Sequence, residues 1–148
     1  SAASDGYKRQ SMTGWTFGSH TWGHIRLDSR PLESVQRDTV RWAEEVGSLV
    51  GPTNILFYPH GGRPDGDDWH STGPVFQYLQ SQGFRIFASV GINSFSYIKK
   101  DISAVICDRL HPDGTTLRNG KALEWYSQFY DAREIIDLDV RPDLGVTW

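Results

Sequence analysis

The sequence has very little sulfur: Cys107 is the only cysteine and Met12 the only methionine among 148 residues. A single cysteine cannot form a disulfide within the chain, although a chain of this length can bury a core of its own. Cys107 ends the apolar stretch 104–107, which predicts a buried, unreactive thiol. The cysteine content therefore does not indicate whether the protein works in an oxidising or a reducing compartment.

Two further absences bear on the class of function. No apolar run approaches the roughly 20 residues that span a bilayer, and residues 1–8 lack the apolar stretch of a signal peptide. The formal net charge is -3, with basic residues scattered along the chain. Without a concentrated basic stripe, neither nucleic acid nor an anionic membrane surface is expected as a partner.

Aromatic residues, in contrast, are plentiful, with six Trp, six Tyr and seven Phe making up 13% of the chain. Aromatic rings pack on sugar rings, but they also fill cores. Composition alone favours the core, so these residues indicate sugar binding only where a motif supports it.

Gly and Pro residues divide the chain into alternating short strands and helices. Strands are predicted at residues 14–19, 55–58, 85–90 and 103–110. Helices are predicted from Asp28 or Ser29 to Gly51, from Thr72 to Gly83 and over residues 121–130. This alternation predicts an α/β fold with mostly parallel strands, in which ligands bind at the carboxyl ends of the strands.

His20 and His24 are four residues apart in a predicted loop that follows a strand. Imidazole is the commonest metal ligand in proteins, and this spacing lets both rings face the same way. Catalytic zinc needs three protein ligands, so a third would have to come from elsewhere. The alternative is a pair of polar side chains hydrogen-bonded within the loop.

The stretch from Phe17 to His24 reads Phe-Gly-Ser-His-Thr-Trp-Gly-His. It resembles the second motif of the polysaccharide deacetylases (NodB homology domain, carbohydrate esterase family 4), a His-Ser/Thr-x-x-His pattern after a strand. Residues 57–61, Phe-Tyr-Pro-His-Gly, are similar to the family's Arg-Pro-Pro-Tyr-Gly or Tyr-Pro-Tyr-Gly motif. Ile136-Asp137 and Arg141-Pro142 also look like the ending of many members. The resemblance covers roughly residue 14 to the C-terminus.

The resemblance implies a partial or irregular (β/α) barrel of the NodB type, with mostly parallel strands and outer helices. It implies that His20 and His24 bind a divalent metal, zinc or cobalt, and that the backbone N–H of His60 stabilises an oxyanion. Trp22, Tyr58 and Pro59 would line the substrate groove. For Trp22 the alternative is a place in the core.

Three departures from the family pattern stand out. The opening Asp-Asp motif, which supplies the catalytic base and a metal ligand, is missing; Asp67-Asp68 could replace it or belong to a solvated loop. Phe57 stands where the family's third motif has arginine. The late Leu-x-His motif has no clean match: His111 is the nearest candidate for the catalytic acid, although Arg109 occupies the leucine position and a surface turn is the alternative.

These features predict a single domain over residues 1–148, incomplete at its N-terminus. The expected function is metal-dependent removal of N-acetyl groups from a polysaccharide that contains N-acetylglucosamine, with release of acetate. The alternative is an inactive relative that binds carbohydrate or has a structural role. The resemblance implies an extracellular or cell-envelope location, and an open sheet edge left by missing strands would favour a homo-oligomer.

Overall fold

The computed structural model describes residues 14–66, 72–90 and 96–109, together with Glu124, Ser127 and Gln128. Residues 1–109 form one compact unit and residues 110–148 a second. In the second unit the Ser127 hydroxyl donates a hydrogen bond to the Glu124 carbonyl oxygen (2.7 Å). The rest of the helix predicted at 121–130 lies outside the described residues. The single-domain assignment stays a prediction.

The first predicted helix is confirmed as α1 (Leu32–Trp42), which continues through a π-helical turn (Ala43–Gly47) into the short α2 (Ser48–Val50). Val35 and Trp42, seven residues apart and therefore on one helical face, are both buried. The expected cap is wrong, because Pro31 is the N-cap residue and no side chain caps the helix. Asp28 forms a salt bridge with Arg26 instead.

Four strands form one sheet in the order β1-β2-β4-β3. They are β1 (Ile55–Phe57), β2 (Ile86–Val90), β3 (Ser96–Lys99) and β4 (Ala104–Arg109). The pairs β1–β2 and β2–β4 are parallel, whereas β3 runs antiparallel to β4 at the edge. The predicted strands at 55–58, 85–90 and 103–110 are confirmed, while β3 was not predicted. The arrangement is mixed α/β and compatible with a partial barrel of the NodB type.

The predicted strand at 14–19 is wrong in extent. Within the described residues 14–19, only Ser19 pairs with the sheet, through an isolated parallel bridge to Leu56. The Ser19 N–H donates to the Ile55 carbonyl oxygen (2.9 Å), and the Phe57 N–H donates to the Ser19 carbonyl oxygen (2.7 Å). These two bonds nevertheless place the residue after Ser19 beside the carboxyl end of β1.

One hydrophobic core joins the helices to the sheet. Its members come from α1, from α3 (Pro74–Ser81), from the strands and from the segments beside them. They are Leu27, Val35, Leu56, Tyr58, Val75, Phe76, Leu79, Phe84, Phe87, Ala104 and Ile106. The core packs the helices against the sheet. The polar groups at the strand ends are therefore supported by tightly packed side chains.

Asp65 ties the loop after β1 to the start of α3. Its carboxylate accepts hydrogen bonds from the Val75 N–H (3.1 Å) and the Phe76 N–H (2.8 Å). These N–H groups lie in the first helical turn, where they have no partner within the helix. A Cβ on Gly73 would lie 2.2 Å from an Asp65 carboxylate oxygen, so this contact requires glycine. Asp65 thereby fixes the end of the described part of this loop to the start of α3.

Cys107 is half-buried in β4, with its Sγ 3.9 Å from the Phe87 carbonyl oxygen. Burial raises the pKa of the thiol, and the neighbouring Asp108 raises it further. The sequence predicted a buried thiol, whereas Cys107 is only half-buried; its raised pKa makes the thiol a weaker nucleophile, and its lack of reactivity stays a prediction. Among the described residues, no helix is long and apolar enough to cross a membrane.

Candidate functional site

Several polar side chains lie at the carboxyl edge of the sheet. His20 follows the bridged residue Ser19, and His60 lies in the 3-10 turn Pro59–Gly61 that comes shortly after β1. Arg109 is the last residue of β4, paired with Val90 at the end of β2. Because the strands are parallel, their carboxyl ends meet at one edge, where α/β folds bind ligands. His20, His60 and Arg109 therefore lie at the edge of the sheet where the sequence predicted a site, and the site itself stays a prediction.

The orientation of the His20 ring is set by the main chain of β1. Its Nδ1 lies 2.5 Å from the Phe57 carbonyl oxygen. A carbonyl oxygen can only accept, so Nδ1 carries the hydrogen of the neutral ring and Nε2 keeps its lone pair. Histidines that bind metals commonly hold their second ring nitrogen in this way.

Three imidazole rings contact one another in sequence. The His20 and His24 ring centroids are 4.8 Å apart, and those of His24 and His60 are 4.5 Å apart, with edge-to-face geometry in both pairs. His24 and His60 have positive backbone φ angles of 52° and 56°. Left-handed backbone at a residue other than glycine is uncommon and concentrates at functional sites. We call these three residues the histidine cluster.

The electrostatic surroundings of His20 are cationic. Burial lowers the pKa of His20, the bond to the Phe57 carbonyl opposes that effect, and Arg109 lowers the pKa further. Arg109 is half-buried, its guanidinium carbon lies 5.4 Å from the Phe57 ring centroid, and burial lowers its pKa. Its Nε is buried without an acceptor in the described part of the chain. These surroundings favour a neutral His20 ring with an available lone pair.

Asp38 of α1 holds the loop between the first two histidines. Its carboxylate accepts hydrogen bonds from the Trp22 N–H (2.8 Å) and the Gly23 N–H (2.7 Å). Within the loop, the Thr21 hydroxyl oxygen accepts from the Ile25 N–H (3.1 Å). The position of His24 relative to His20 therefore depends on a carboxylate that reaches over from the helix.

Replacing Asp38 with alanine should loosen this loop. We expect the Trp22 and Gly23 amide hydrogens to exchange with solvent about tenfold faster or more, because each loses a hydrogen bond to a charged acceptor. Asp38→Asn, whose side chain keeps one accepting oxygen, should give an intermediate effect. Exchange measured by NMR tests this, with the Ile25 amide as internal reference; unchanged rates at both amides would contradict the assigned role.

Trp22 is 41% exposed, which excludes the core alternative. Its indole N–H donates to Glu45 (2.8 Å), and the Arg41 guanidinium carbon lies 3.4 Å from the centroid of its ring. Arg41 also donates to Glu45 (2.7 Å), which completes a small polar network between the Trp22 loop, α1 and the π-helical turn. Since Arg41 covers one face of the indole, only the opposite face remains for a sugar ring.

Tyr58 and Pro59 are both buried, Tyr58 with an exposed fraction of 0%. Neither side chain therefore offers a surface on which a sugar could pack. Burial raises the pKa of Tyr58, while the hydroxyl of Ser89 and the charge of Arg63 act in the opposite direction. The Tyr58 side chain is part of the hydrophobic core beneath the site and does not line a substrate groove.

The remaining predicted site residues, His111, Asp67 and Asp68, lie outside the described residues. Within residues 14–66, 72–90 and 96–109, no three histidine, cysteine, aspartate or glutamate side chains form a group that could hold a metal ion. The described residues therefore supply oriented imidazoles but not a complete ligand set.

Sequence reasoning missed Asp38 and Arg109 as parts of this site. Asp38 occupies a polar position on a helix, where acidic residues are common and carry no motif. Arg109 was considered only as the residue that replaces a leucine. The strand prediction over 103–110 could have placed Arg109 at the carboxyl edge, because a parallel strand ends there.

Comparison with protein-family models matches residues 1–85 to the polysaccharide deacetylases. This range includes the whole histidine cluster and more than half of the 148 residues. Searches of curated proteins and of solved structures gave no match. The sequence motifs, the α/β sheet with histidines at its carboxyl edge and the match to the family model agree, and the chain belongs to the polysaccharide deacetylase family.

Proposed function

We propose that the chain is a metal-dependent hydrolase that removes N-acetyl groups from a polysaccharide containing N-acetylglucosamine. The observation that carries this proposal is the oriented ring of His20, whose Nδ1 is engaged by the Phe57 carbonyl beside His24. Membership in a hydrolase family that acts on such polymers supports the substrate class. We further propose an extracellular or cell-envelope location, which suits a polymeric substrate.

The donor chemistry of the site suits a divalent metal. Imidazole nitrogen is a good ligand for zinc and cobalt, and the described residues offer it from His20 and His24. The lone pair at Nε2 of His20 is fixed by the bond on the opposite nitrogen. In our proposal these two residues hold the ion, and a third ligand comes from outside the described residues, with Asp67 or Asp68 as candidates.

The reaction breaks the amide C–N bond of the acetamido group. A water oxygen adds to the acetyl carbon, the sugar nitrogen leaves with an added proton, and acetate is released. A bound divalent metal would supply Lewis acidity, lowering the pKa of water and polarising the acetyl carbonyl. In our proposal the backbone N–H of His60 donates a hydrogen bond to the oxyanion that forms at the acetyl carbonyl. His111 remains the candidate for protonating the amine.

The second candidate is an inactive relative that binds carbohydrate. It is favoured by the lack of a three-residue metal-binding group among the described residues. It would use the same edge of the sheet for binding, without hydrolysis. The two candidates differ in whether the chain turns substrate over.

The test is acetate release from N-acetylglucosamine oligomers, with added zinc or cobalt and then with excess chelator. Under the proposed function we expect acetate release that the metal supports and the chelator stops. As a matched comparison, the same oligomers without acetyl groups should release nothing. Binding of the oligomers without any acetate release would favour the inactive relative and overturn the hydrolase.

A further inference from the structure

A pocket of about 560 Å³ opens at the amino edge of the sheet, away from the histidine cluster. Thr53 and Asn54 line it directly before β1, and Gln82 and Gly83 line it in the turn that leads to β2. Because these two strands are parallel, the residues before them meet at the edge opposite to the one that carries the histidine cluster. The volume falls within the usual range for ligand sites. This amino-edge pocket is therefore separate from the proposed catalytic site.

Hydrogen bonds to main-chain carbonyl oxygens tie the walls of the amino-edge pocket together. The Thr53 hydroxyl donates to the Phe17 carbonyl oxygen (2.7 Å), which joins the first described segment to the start of β1. The Asn54 carbonyl oxygen accepts from the Arg85 N–H (2.8 Å) and the Ile86 N–H (3.0 Å), which joins the start of β1 to the turn after α3. The pocket is thus preformed, and a ligand does not have to order its walls.

The lining of the amino-edge pocket combines an exposed aromatic ring with uncharged polar groups. Trp15 is 66% exposed, and Val50 adds further apolar surface. Asn54 and Gln82 contribute side-chain amides, which both donate and accept hydrogen bonds. The Gln82 Nε2 donates to the Ser81 hydroxyl oxygen (3.3 Å), so the Gln82 amide oxygen remains to accept from a ligand.

None of the described residues that line the amino-edge pocket carries a charge. Arg85 is close in sequence, but its guanidinium donates to the carbonyl oxygens of Gln80 and Phe84, at 2.7 Å in both cases. A charged ligand would lose hydration here without gaining an ion pair, which is costly. The pocket therefore suits a neutral ligand that has both an apolar face and hydrogen-bonding groups.

We propose that the amino-edge pocket is a second carbohydrate-binding site, which takes a neutral pyranose ring of a polysaccharide. One face of such a ring presents C–H groups that pack on an aromatic ring such as that of Trp15. The hydroxyl groups around its rim both donate and accept, and they match the amides of Asn54 and Gln82. An apolar peptide side chain would use neither amide. The pocket holds the polymer on the protein and takes no part in the reaction.

The choice of N-acetylglucosamine as the sugar rests on the proposed function, whereas the preference for a neutral ring rests on the lining alone. The test is a titration of the whole chain with the tetramer of N-acetylglucosamine, followed by NMR, with chelator present so that no hydrolysis occurs. The reporters are the side-chain amide signals of Asn54 and Gln82, which should shift together as the sugar binds. They report on the amino-edge pocket even when the tetramer also binds at the histidine cluster.

Trp15→Ala should weaken the affinity measured from these signals by about tenfold or more, because it removes the most exposed apolar surface of the pocket. Trp15→Phe keeps an aromatic face and should lose less. Trp22→Ala is the matched control, because it removes another exposed tryptophan that lies in the loop of the histidine cluster. It should change this affinity by less than about threefold.

Trp15→Ala should also melt close to the wild type, since the side chain that it removes is exposed. Equal affinity in the wild type and Trp15→Ala would overturn the proposal, as would an equal loss in Trp22→Ala. If indole shifts the two amide signals and the tetramer does not, the pocket takes apolar ligands and the proposal fails.

Acetate release separates this proposal from the proposed function. Amide shifts that depend on Trp15, in a chain that never releases acetate, would keep the second site and contradict the hydrolase. Acetate release without any shift of the Asn54 and Gln82 signals would keep the hydrolase and overturn the second site.

Discussion

Replacing His20 with alanine should abolish tight zinc binding, with a loss of affinity of more than about 100-fold. Substitutions that only disturb the support of a ligand already cost about 10- to 100-fold, and this one removes a proposed ligand itself. His24→Ala should have a comparable effect, because it leaves the proposed site with only one of its two imidazole ligands. Acetate release should disappear in both variants. Calorimetric titration with zinc measures the first effect directly.

Phe57→Leu is the control for the His20 variant. It changes the side chain beside the ring but keeps the carbonyl oxygen that accepts from Nδ1. We expect zinc affinity to stay within about tenfold of the wild type, the lower end of the effect of disturbing a ligand's support. Equal zinc affinity in the wild type, His20→Ala and His24→Ala would refute the metal assignment, and the polar-loop alternative would then stand.

The largest effect on stability is expected from Phe87→Ala. Phe87 is the second residue of β2 and has an exposed fraction of 0%, and its ring centroid is 5.1 Å from that of Phe76 in α3. Removing the ring should lower the free energy of unfolding by about 3–5 kcal/mol, from lost burial and the cavity left behind. Urea denaturation followed by circular dichroism measures this.

Ile98→Ala provides the comparison for Phe87→Ala. Ile98 is also an apolar strand residue, in β3, but it is 69% exposed. Its removal should change the free energy of unfolding by no more than about 0.5 kcal/mol. If the two variants lose similar stability, Phe87 is not at the centre of the core.

The positions of α1 and the parallel strands could be predicted, because the spacing of apolar residues along the chain indicates helix or strand. The spacing of Val35 and Trp42 predicted α1, and the apolar run at 55–58 predicted β1. The π-helical turn and the antiparallel β3 were missed, because neither changes the pattern of apolar residues enough to be recognised. Ser19 was predicted within a strand but forms only a bridge, since the number of strand partners depends on tertiary packing.

For the site, sequence could place the histidines but not the groups that orient them. His20 and His24 belong to a motif, whereas the Phe57 carbonyl and the Asp38 carboxylate act across 37 and 15 to 16 residues of sequence. Tyr58 could have been assigned to the core, because it lies two residues after the buried Leu56 and strand residues two apart share a face. Tyr58 was instead predicted to line the substrate groove, because it belongs to the same motif as His60.

The bond between His20 and Phe57 also determines which sequence changes the site can accept. The acceptor is a main-chain carbonyl oxygen, so no side-chain replacement at position 57 can delete it. What preserves it is the hydrogen bond from the Phe57 N–H to the Ser19 carbonyl oxygen on one side and the pairing of Phe57 with Ala88 on the other. Evolution can therefore vary the side chain at position 57 widely, whereas an insertion or deletion that shifts this pairing by one residue would cost the histidine its orientation.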